Sequence, residues 1–252
     1  RVAKVRAPGS RAARSGYGLS TETYICLEKA IAHQVPDELI DNSDDPLTPL
    51  VRGTEWCADQ VQLEIENDVL DLVFGTTWSS SATPGTLWSS DAADPFGDIY
   101  TAMNTVALAI GREPNGGVIG RGLWRYLKNH PDVIDRMKGG ATTANPAKAA
   151  LESVAAIAGL ERILLAGAIE DTSLEPAAST FAYVGGNHMA LLYVPTGPAL
   201  DVPSAGYTFM WKTFEVNRYR EEQEHADVVE ARASWDAKVT SSVSGYLIKS
   251  AA

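Results

Sequence analysis

Gly206-Tyr207-Thr208-Phe209-Met210-Trp211, continuing through Phe214-Glu215-Val216-Asn217-Arg218-Tyr219-Arg220, opens the stretch whose reading decides the fold. An acidic turn follows, Glu221-Glu222-Gln223-Glu224-His225. Next come a run from Val228 to Trp235 and a closing Gly245-Tyr246-Leu247-Ile248-Lys249. Short aromatic and β-branched runs divided by polar turns read as strands of an antiparallel sheet. They carry no catalytic or ligand motif. They are framework, and framework points to a protein that builds something.

Upstream, residues 47–74 read as a long helix, because Cys57, Val61, Ile65, Val69, Leu72 and Val73 recur at helical spacing. Asp45 suits the cap, Pro46 the first turn and Gly75 the stop, while Gly53 can shift the start later. Thr76 to Ala93 reads as a loop or loose hairpin holding Trp78 and Trp88. Asp94-Pro95 opens a second helix that ends at Gly111.

Between these parts, residues 112–205 alternate in type. A short strand at Gly117–Gly120, a helix at Leu123–Lys128, a turn at His130-Pro131 and an Ala-rich helix at Ala147–Ala158 precede buried-type strands at Arg162–Ala166 and Met189–Val194. This is the pattern of a compact α/β unit inserted into the chain, with the strands of 206–252 rejoining the long helix.

The other end is different. Tyr17, Leu19, Thr21, Thr23 and Ile25 alternate as in a strand, and Ala30 to Val35 reads as a return strand or a short helix. Residues 17–44 are therefore expected to form a long polar hairpin projecting from the body. Residues 1–16 hold Arg1, Lys4, Arg6, Arg11 and Arg14 and no acid, so the other 236 residues hold 16 basic and 32 acidic side chains. A basic arm on an acidic body is expected to lie on a neighbour's acidic surface. Nucleic acid is the weaker reading of the arm, since no aromatic residue is interleaved there.

The 252 residues suit one large domain or two small ones, and the 45% hydrophobic content is that of a globular protein. No apolar run approaches the roughly 20 residues of a membrane span, and no signal peptide is visible. The first residue is Arg1 rather than Met. A late start and removal of a leader by proteolysis both stay open. Cys26 and Cys57 lack any CxxC pattern and read as reduced, partly buried thiols, which fits an intracellular site of synthesis.

Candidate chemistry is sparse. Asn115-Gly116-Gly117-Val118-Ile119-Gly120-Arg121-Gly122 is glycine-rich, but Leu123-Trp124 stands where a phosphate loop needs Lys-Ser/Thr. The run also follows a predicted helix, where a dinucleotide loop follows a strand. It reads as a turn. His33, His130, His188 and His225 are far apart and match no ligand pattern, and no GxSxG elbow is present. Glu221, Glu222 and Glu224 read as a solvated turn. No catalytic residue, metal or cofactor is assigned.

With this organisation in place, the chain resembles the major capsid proteins of tailed bacteriophages with the Hong Kong 97-type shell fold. Tyr17-Gly18-Leu19-Ser20-Thr21-Glu22-Thr23-Tyr24 through Val35-Pro36-Asp37-Glu38 resembles their extended loop, and the helix before Phe74 their spine helix. Asp94-Pro95, Pro114 to Ile119 and Trp124 to Pro131 resemble the passage into the apical domain. Phe181 to Asn187 and Ala190 to Pro195 resemble its later strands, and Val216 to Ile248 the closing peripheral strands.

The resemblance spans about residues 17–250 and rests on order and spacing rather than on one motif. It implies an α+β fold with an N-terminal arm (1–16), an extended loop (17–44), a peripheral domain (45–111 and 206–252) and an apical domain (112–205). It also implies closure of pentamers and hexamers into an icosahedral head around double-stranded DNA, assembled in the host cytoplasm. Portal and decoration or cement proteins would be further partners, and the membrane would not. Besides the five basic arm residues, Glu22, Glu28, Lys29, Asp37 and Glu38 are the expected contacts with neighbouring copies. The isopeptide cross-link of some relatives is not carried over, since no residue-by-residue match to it is present. A cellular nanocompartment (encapsulin-like) shell is the alternative, and a soluble α/β enzyme a more distant one.

Overall fold

The computed structural model describes residues 5, 8–12, 21–43, 48–75, 78–138, 150–173, 179–198 and 202–252. Two sheets share one long helix.

The first sheet has three antiparallel strands in the order β1-β9-β8: β1 (Leu27–Pro36), β8 (Gly206–Glu221) and β9 (Ala226–Val239). The acidic turn joins β8 to β9, and His225 adopts a left-handed φ of 47° there. Helix α2 (Pro49–Phe74) lies across one face of this sheet. Cys57 and Val61 of α2 bury against Ala231, Ala233 and Trp235 of β9. The small alanines on β9 let the helix approach closely. Gly53 does the same toward β1, for a Cβ there would sit 2.8 Å from the His33 ring.

The second sheet is mixed, in the order β2-β10-β7-β3-β4. Its strands are β2 (Ser80–Ala82), β3 (Gly116–Gly120), β4 (Arg162–Ala166), β7 (Met189–Leu192) and β10 (Gly245–Ile248). A separate two-stranded ribbon, β5 (Ile169–Asp171) with β6 (Phe181–Tyr183), stands beside it. Helix α3 (Pro95–Ile110) is capped by the Asp94 carboxylate, which accepts the Gly97 N–H, and stops at Gly111 with φ 71°. Phe96, Ile99 and Met103 of α3 join Ile119, Leu123, Met189, Leu191 and Ile248 in the main core. Helices α4 (Arg121–Leu127), α5 (Pro131–Lys138) and α6 (Leu151–Ala158) complete that layer.

Helix α2 links the two units. At ~1.5 Å per residue it is roughly 39 Å long, and its later turns leave the first sheet. Val73 enters a cluster with Trp78, Ala190, Leu192, Ala205 and Leu247, while Leu70 packs on Ala166 and Ala168.

Three expectations change. The described part of 17–44 is not a hairpin. Ala30–Val35 belongs to the single strand β1, whose partner over ten consecutive residues is β9, with Leu27 opposite Trp235 and Pro36 opposite Ala226. A short α1 (Asp37–Asp41) follows it. Second, segment 206–252 does not stay in one unit: β10 sits inside the five-stranded sheet, antiparallel to β7 and parallel to β2. Helix α3, expected on the peripheral side, packs with that sheet too. Third, α2 begins at Pro49 after Thr48, without a side-chain cap. The expected cap at Asp45 and first turn at Pro46 lie outside the described residues.

Candidate functional site

The glycine-rich run is a packing device. Gly120 ends β3 against the turn at Gly185-Gly186, and a Cβ on Gly120 would overlap the carbonyl oxygens of both. One on Gly122 would overlap Asn187 Oδ1. No side chain larger than hydrogen fits where two backbones meet this closely. Asn115 is also structural. Its amide donates to Val194 O (2.8 Å) and accepts the Val194 N–H (2.9 Å), extending the β3–β7 ladder by a side chain.

The four histidines occupy four separate places. His33 lies beside Trp56 (5.5 Å between ring centres), and buried His130 bonds Ser90 O through Nε2 (3.1 Å). His188 accepts the Ser250 N–H, and His225 is in the acidic turn. Among the described residues no group of three or more His, Cys, Asp or Glu is placed to hold a metal. No helix there is long and apolar enough to cross a membrane. Asp171 is held well below the usual carboxylate range by the Ser173 hydroxyl and N–H, then by Ser179 and Thr180, and it closes the β5–β6 ribbon.

Of the expected contact residues, Arg1, Lys4, Arg6 and Arg14 lie outside the described residues. Arg11, Glu22 and Glu38 are exposed. Glu28, Lys29 and Asp37 have partners inside their own chain. Adjacent residues of a strand face opposite sides, so Glu28 and Lys29 diverge. Glu28 points to the open face, 3.0 Å from Lys212 and 3.8 Å from Arg232, which also bonds Glu215 (3.1 Å). The Lys212 hydrogen bond and charge hold the Glu28 carboxyl below its ordinary value.

Lys29 turns toward α2. It lies 2.7 Å from both Glu64 and Asp68 and 5.1 Å from the centre of the Trp235 ring, whose Nε1–H also donates to Asp68. Burial pulls the Lys29 ammonium down, but the bonds to Asp68 and Glu64 outweigh it and the net shift is upward. Asp37 takes both ends of the Arg220 guanidinium at 2.6 Å, which lowers the carboxyl and raises the guanidinium. Glu28, Lys29 and Asp37, expected as contacts with neighbouring copies, thus each form an ion pair within their own chain. Their partners are supplied by α2, β8 and β9.

Among the described residues, one end of the three-stranded sheet carries exposed apolar side chains. Where β1 begins, Tyr24 stacks on Phe209 of β8 (4.1 Å between ring centres, 9° between planes), and Cys26 Sγ contacts Phe209 O. The register of β8 on β9 breaks between Met210 and Lys212 and again between Lys212 and Glu215. Extra residues bulge outward at such breaks, and Trp211 has no partner on β9. Trp211 and Ile25 are 71% exposed, Leu27 65%, Tyr24 52% and Met210 51%. Tyr24, Cys26, Phe209, Met210 and Trp211 line an open cleft of about 310 Å³. Exposed apolar side chains grouped at one end of a sheet mark an interaction surface. The sequence stretch that decides the fold contains Met210 and Trp211 of this patch, but only the bulge shows that Trp211 faces outward.

Two sheets bridged by a long helix, with an apolar patch at the end of one sheet, make up the architecture. The fold is the Hong Kong 97-type α+β shell fold. The asymmetric unit of the mature capsid of bacteriophage PhiM1 covers 98% of this chain and 78% of its own at TM-score 0.58 and 12% identity. A phage-related protein from Bordetella bronchiseptica RB50 matches 94% of this chain and 80% of its own, with TM-score 0.74 and 23% identity.

Sequence comparison points the same way. The major capsid protein of Pseudomonas phage JBD67 is 28% identical over 128 residues, 49% of this chain and 40% of that protein. The major capsid protein of Burkholderia phage BcepMu is 26% identical over 211 residues, 78% of this chain and 64% of that protein. The chain therefore spans less than two thirds of the length of either curated relative. No family model matches. The resemblance read from the sequence, to tailed-phage major capsid proteins, agrees with these findings.

Proposed function

We propose that this chain is a major capsid subunit of a tailed bacteriophage, whose copies close as pentamers and hexamers into an icosahedral head around double-stranded DNA. The task is structural and not catalytic. The observation that carries the reading is a shell fold over nearly the whole chain, in a sequence similar to two phage major capsid proteins. We assign the three-stranded sheet with α2 to the peripheral domain and the five-stranded sheet with α3 to α6 to the apical domain.

The patch of Tyr24, Ile25, Leu27, Met210 and Trp211 is the proposed contact between copies. A heterologous contact repeated around an axis closes a ring without any further partner. Residues 1–16, rich in Arg and poor in large apolar groups, cannot form a core of their own. They are proposed to lie on a neighbour, with Glu22 and Glu38, exposed beyond opposite ends of β1, as further contacts. A net charge of −11 disfavours tight binding to DNA phosphates, which suits a container that must release its contents. Portal and decoration proteins are further partners in this reading. The particle is a virion component assembled in the host cytoplasm.

Light scattering with nucleic-acid quantification of native material tests the proposal. Particles many times the 27.0 kDa subunit mass that contain DNA support it. Shells free of nucleic acid and loaded with protein cargo favour a nanocompartment. A monomer or dimer overturns both.

A further inference from the structure

The last four residues of the sequence are held by a clamp with one titratable member. Lys249 N–H donates to Ala82 O (2.8 Å), and Ala251 N–H to Asn187 O (2.9 Å). Asn187 Nδ2 donates to Ala252 O (2.9 Å), and Trp88 N–H to Ala251 O (2.6 Å). Ala251 and Trp88 are both buried. The remaining bond is different in kind: Ser250 N–H donates to the Nδ1 of His188 at 3.0 Å.

An imidazole nitrogen accepts only while it is unprotonated, so this bond fixes the neutral ring with its proton on Nε2. Ser250 holds a left-handed φ of 45°, one of only two described non-glycine residues with positive φ. A serine there is strained and stays only if its surroundings hold it.

The ring sits at a junction. It lies 6.2 Å from Phe74, the last residue of α2, its own carbonyl accepts the Gly120 N–H where β3 passes into α4, and Gly186 lies against its edge. None of these neighbours carries a negative charge that would favour imidazolium. The charged group acting on the ring is Lys249, which opposes imidazolium. Burial first, and Lys249 second, hold the His188 pKa below its ordinary value.

We propose that His188 is a pH-sensitive latch on the closing segment 249–252. While the ring is neutral, Ser250 is held in its strained conformation and the segment stays seated on Trp88 and Asn187. Protonation turns Nδ1 from acceptor to donor, setting two N–H groups against each other and placing a cation beside Lys249. The segment then releases before the rest of the fold, at the point where α2 meets the five-stranded sheet. This inference rests on the geometry of one chain and is independent of the shell reading.

The sign follows from linkage. A His with a lowered pKa in the closed state makes closure complete above its ordinary value of about 6.5. Closure is lost as pH falls through the lowered value, by up to about tenfold in the closed-to-open ratio per pH unit.

The test is hydrogen exchange with mass spectrometry on the native protein between pH 7.5 and 5, corrected for intrinsic exchange rates and reading the peptide that spans 246–252. Wild type should lose protection several-fold toward pH 5, while peptides from α3 keep theirs. His188→Gln, whose amide oxygen accepts a hydrogen bond at every pH, should keep protection and lose the pH response. His188→Ala should be unprotected at both ends of the range. A wild-type segment whose protection is independent of pH, or a pH response that survives in His188→Gln, overturns the latch.

Discussion

Exchanging the charges of Glu28 and Lys29, as the double variant Glu28→Lys with Lys29→Glu, separates a strand held by its own chain from one held by its neighbours. In the structure the two side chains face opposite sides of β1. The swap therefore sets a lysine against Lys212 and Arg232, and a glutamate against Glu64 and Asp68. Lys29 makes two ion pairs with half-exposed carboxylates, each worth about 0.2–1 kcal/mol. Its contact with the Trp235 ring is worth about 0.5–1 kcal/mol. Their loss, with like charges put in their place, costs about 2–4 kcal/mol. The open-face change adds to this in the same direction. For a chain of this size that is a fall in Tm of roughly 5–15 °C.

Thermal denaturation of dissociated subunits, followed by circular dichroism at low and high salt, measures it. High salt should restore part of the loss, since the new repulsions are screened. An unchanged Tm with defective assembly would refute the reasoning and move these charges back to an interface between copies.

Four further outcomes follow from the same geometry. Trp211→Ala should leave subunit stability within about 0.5 kcal/mol, as for an exposed side chain, yet reduce the yield of assembled particles measured by sedimentation. Gly120→Ala should destabilise by about 3 kcal/mol or more, because the added methyl meets backbone oxygens that cannot move aside; soluble yield and Tm report it. Asp37 has a folded pKa below its ordinary value, so its contribution is complete above the ordinary carboxylate pKa and is lost as pH falls through the lowered value. Asp37→Asn should therefore lower Tm at neutral pH, where the contribution is complete, and flatten part of the acid limb of a Tm-against-pH curve. Deleting residues 1–16 should weaken particles while leaving the circular dichroism of the subunit unchanged.

What the sequence made legible was local. The spacing of Cys57, Val61 and Val73 gives α2, and the aromatic runs around an acidic turn give β8 and β9, because helix and hairpin periodicities need only neighbours in sequence. Asp94, Pro95 and Gly111 bracket α3 by chemistry that acts within one turn.

The misread parts depend on distant partners. β1 pairs with residues some 200 positions away, and its alternation of Lys29, Ile31 and Val35 toward α2 is visible only once α2 is in place. A four-residue strand such as β10 looks the same whichever sheet receives it. Gly53 and Gly120 carry no sign of the ring and the backbone that press on them. The exposed apolar patch escaped the sequence reading for a related reason. Charges in an exposed-looking segment read as free, whereas the bulge that leaves Trp211 unpaired is a matter of register, which no single strand records.

The central claim is that copies of this chain build a closed shell through the end of the three-stranded sheet. Electron cryomicroscopy of native particles tests it most directly. The account predicts an icosahedral shell in which Tyr24, Ile25, Leu27, Met210 and Trp211 are buried against a neighbouring copy, while Glu28 and Lys29 keep Lys212, Glu64 and Asp68 of their own chain. Particles in which that patch faces solvent, or a protein that never exceeds a dimer, would contradict it.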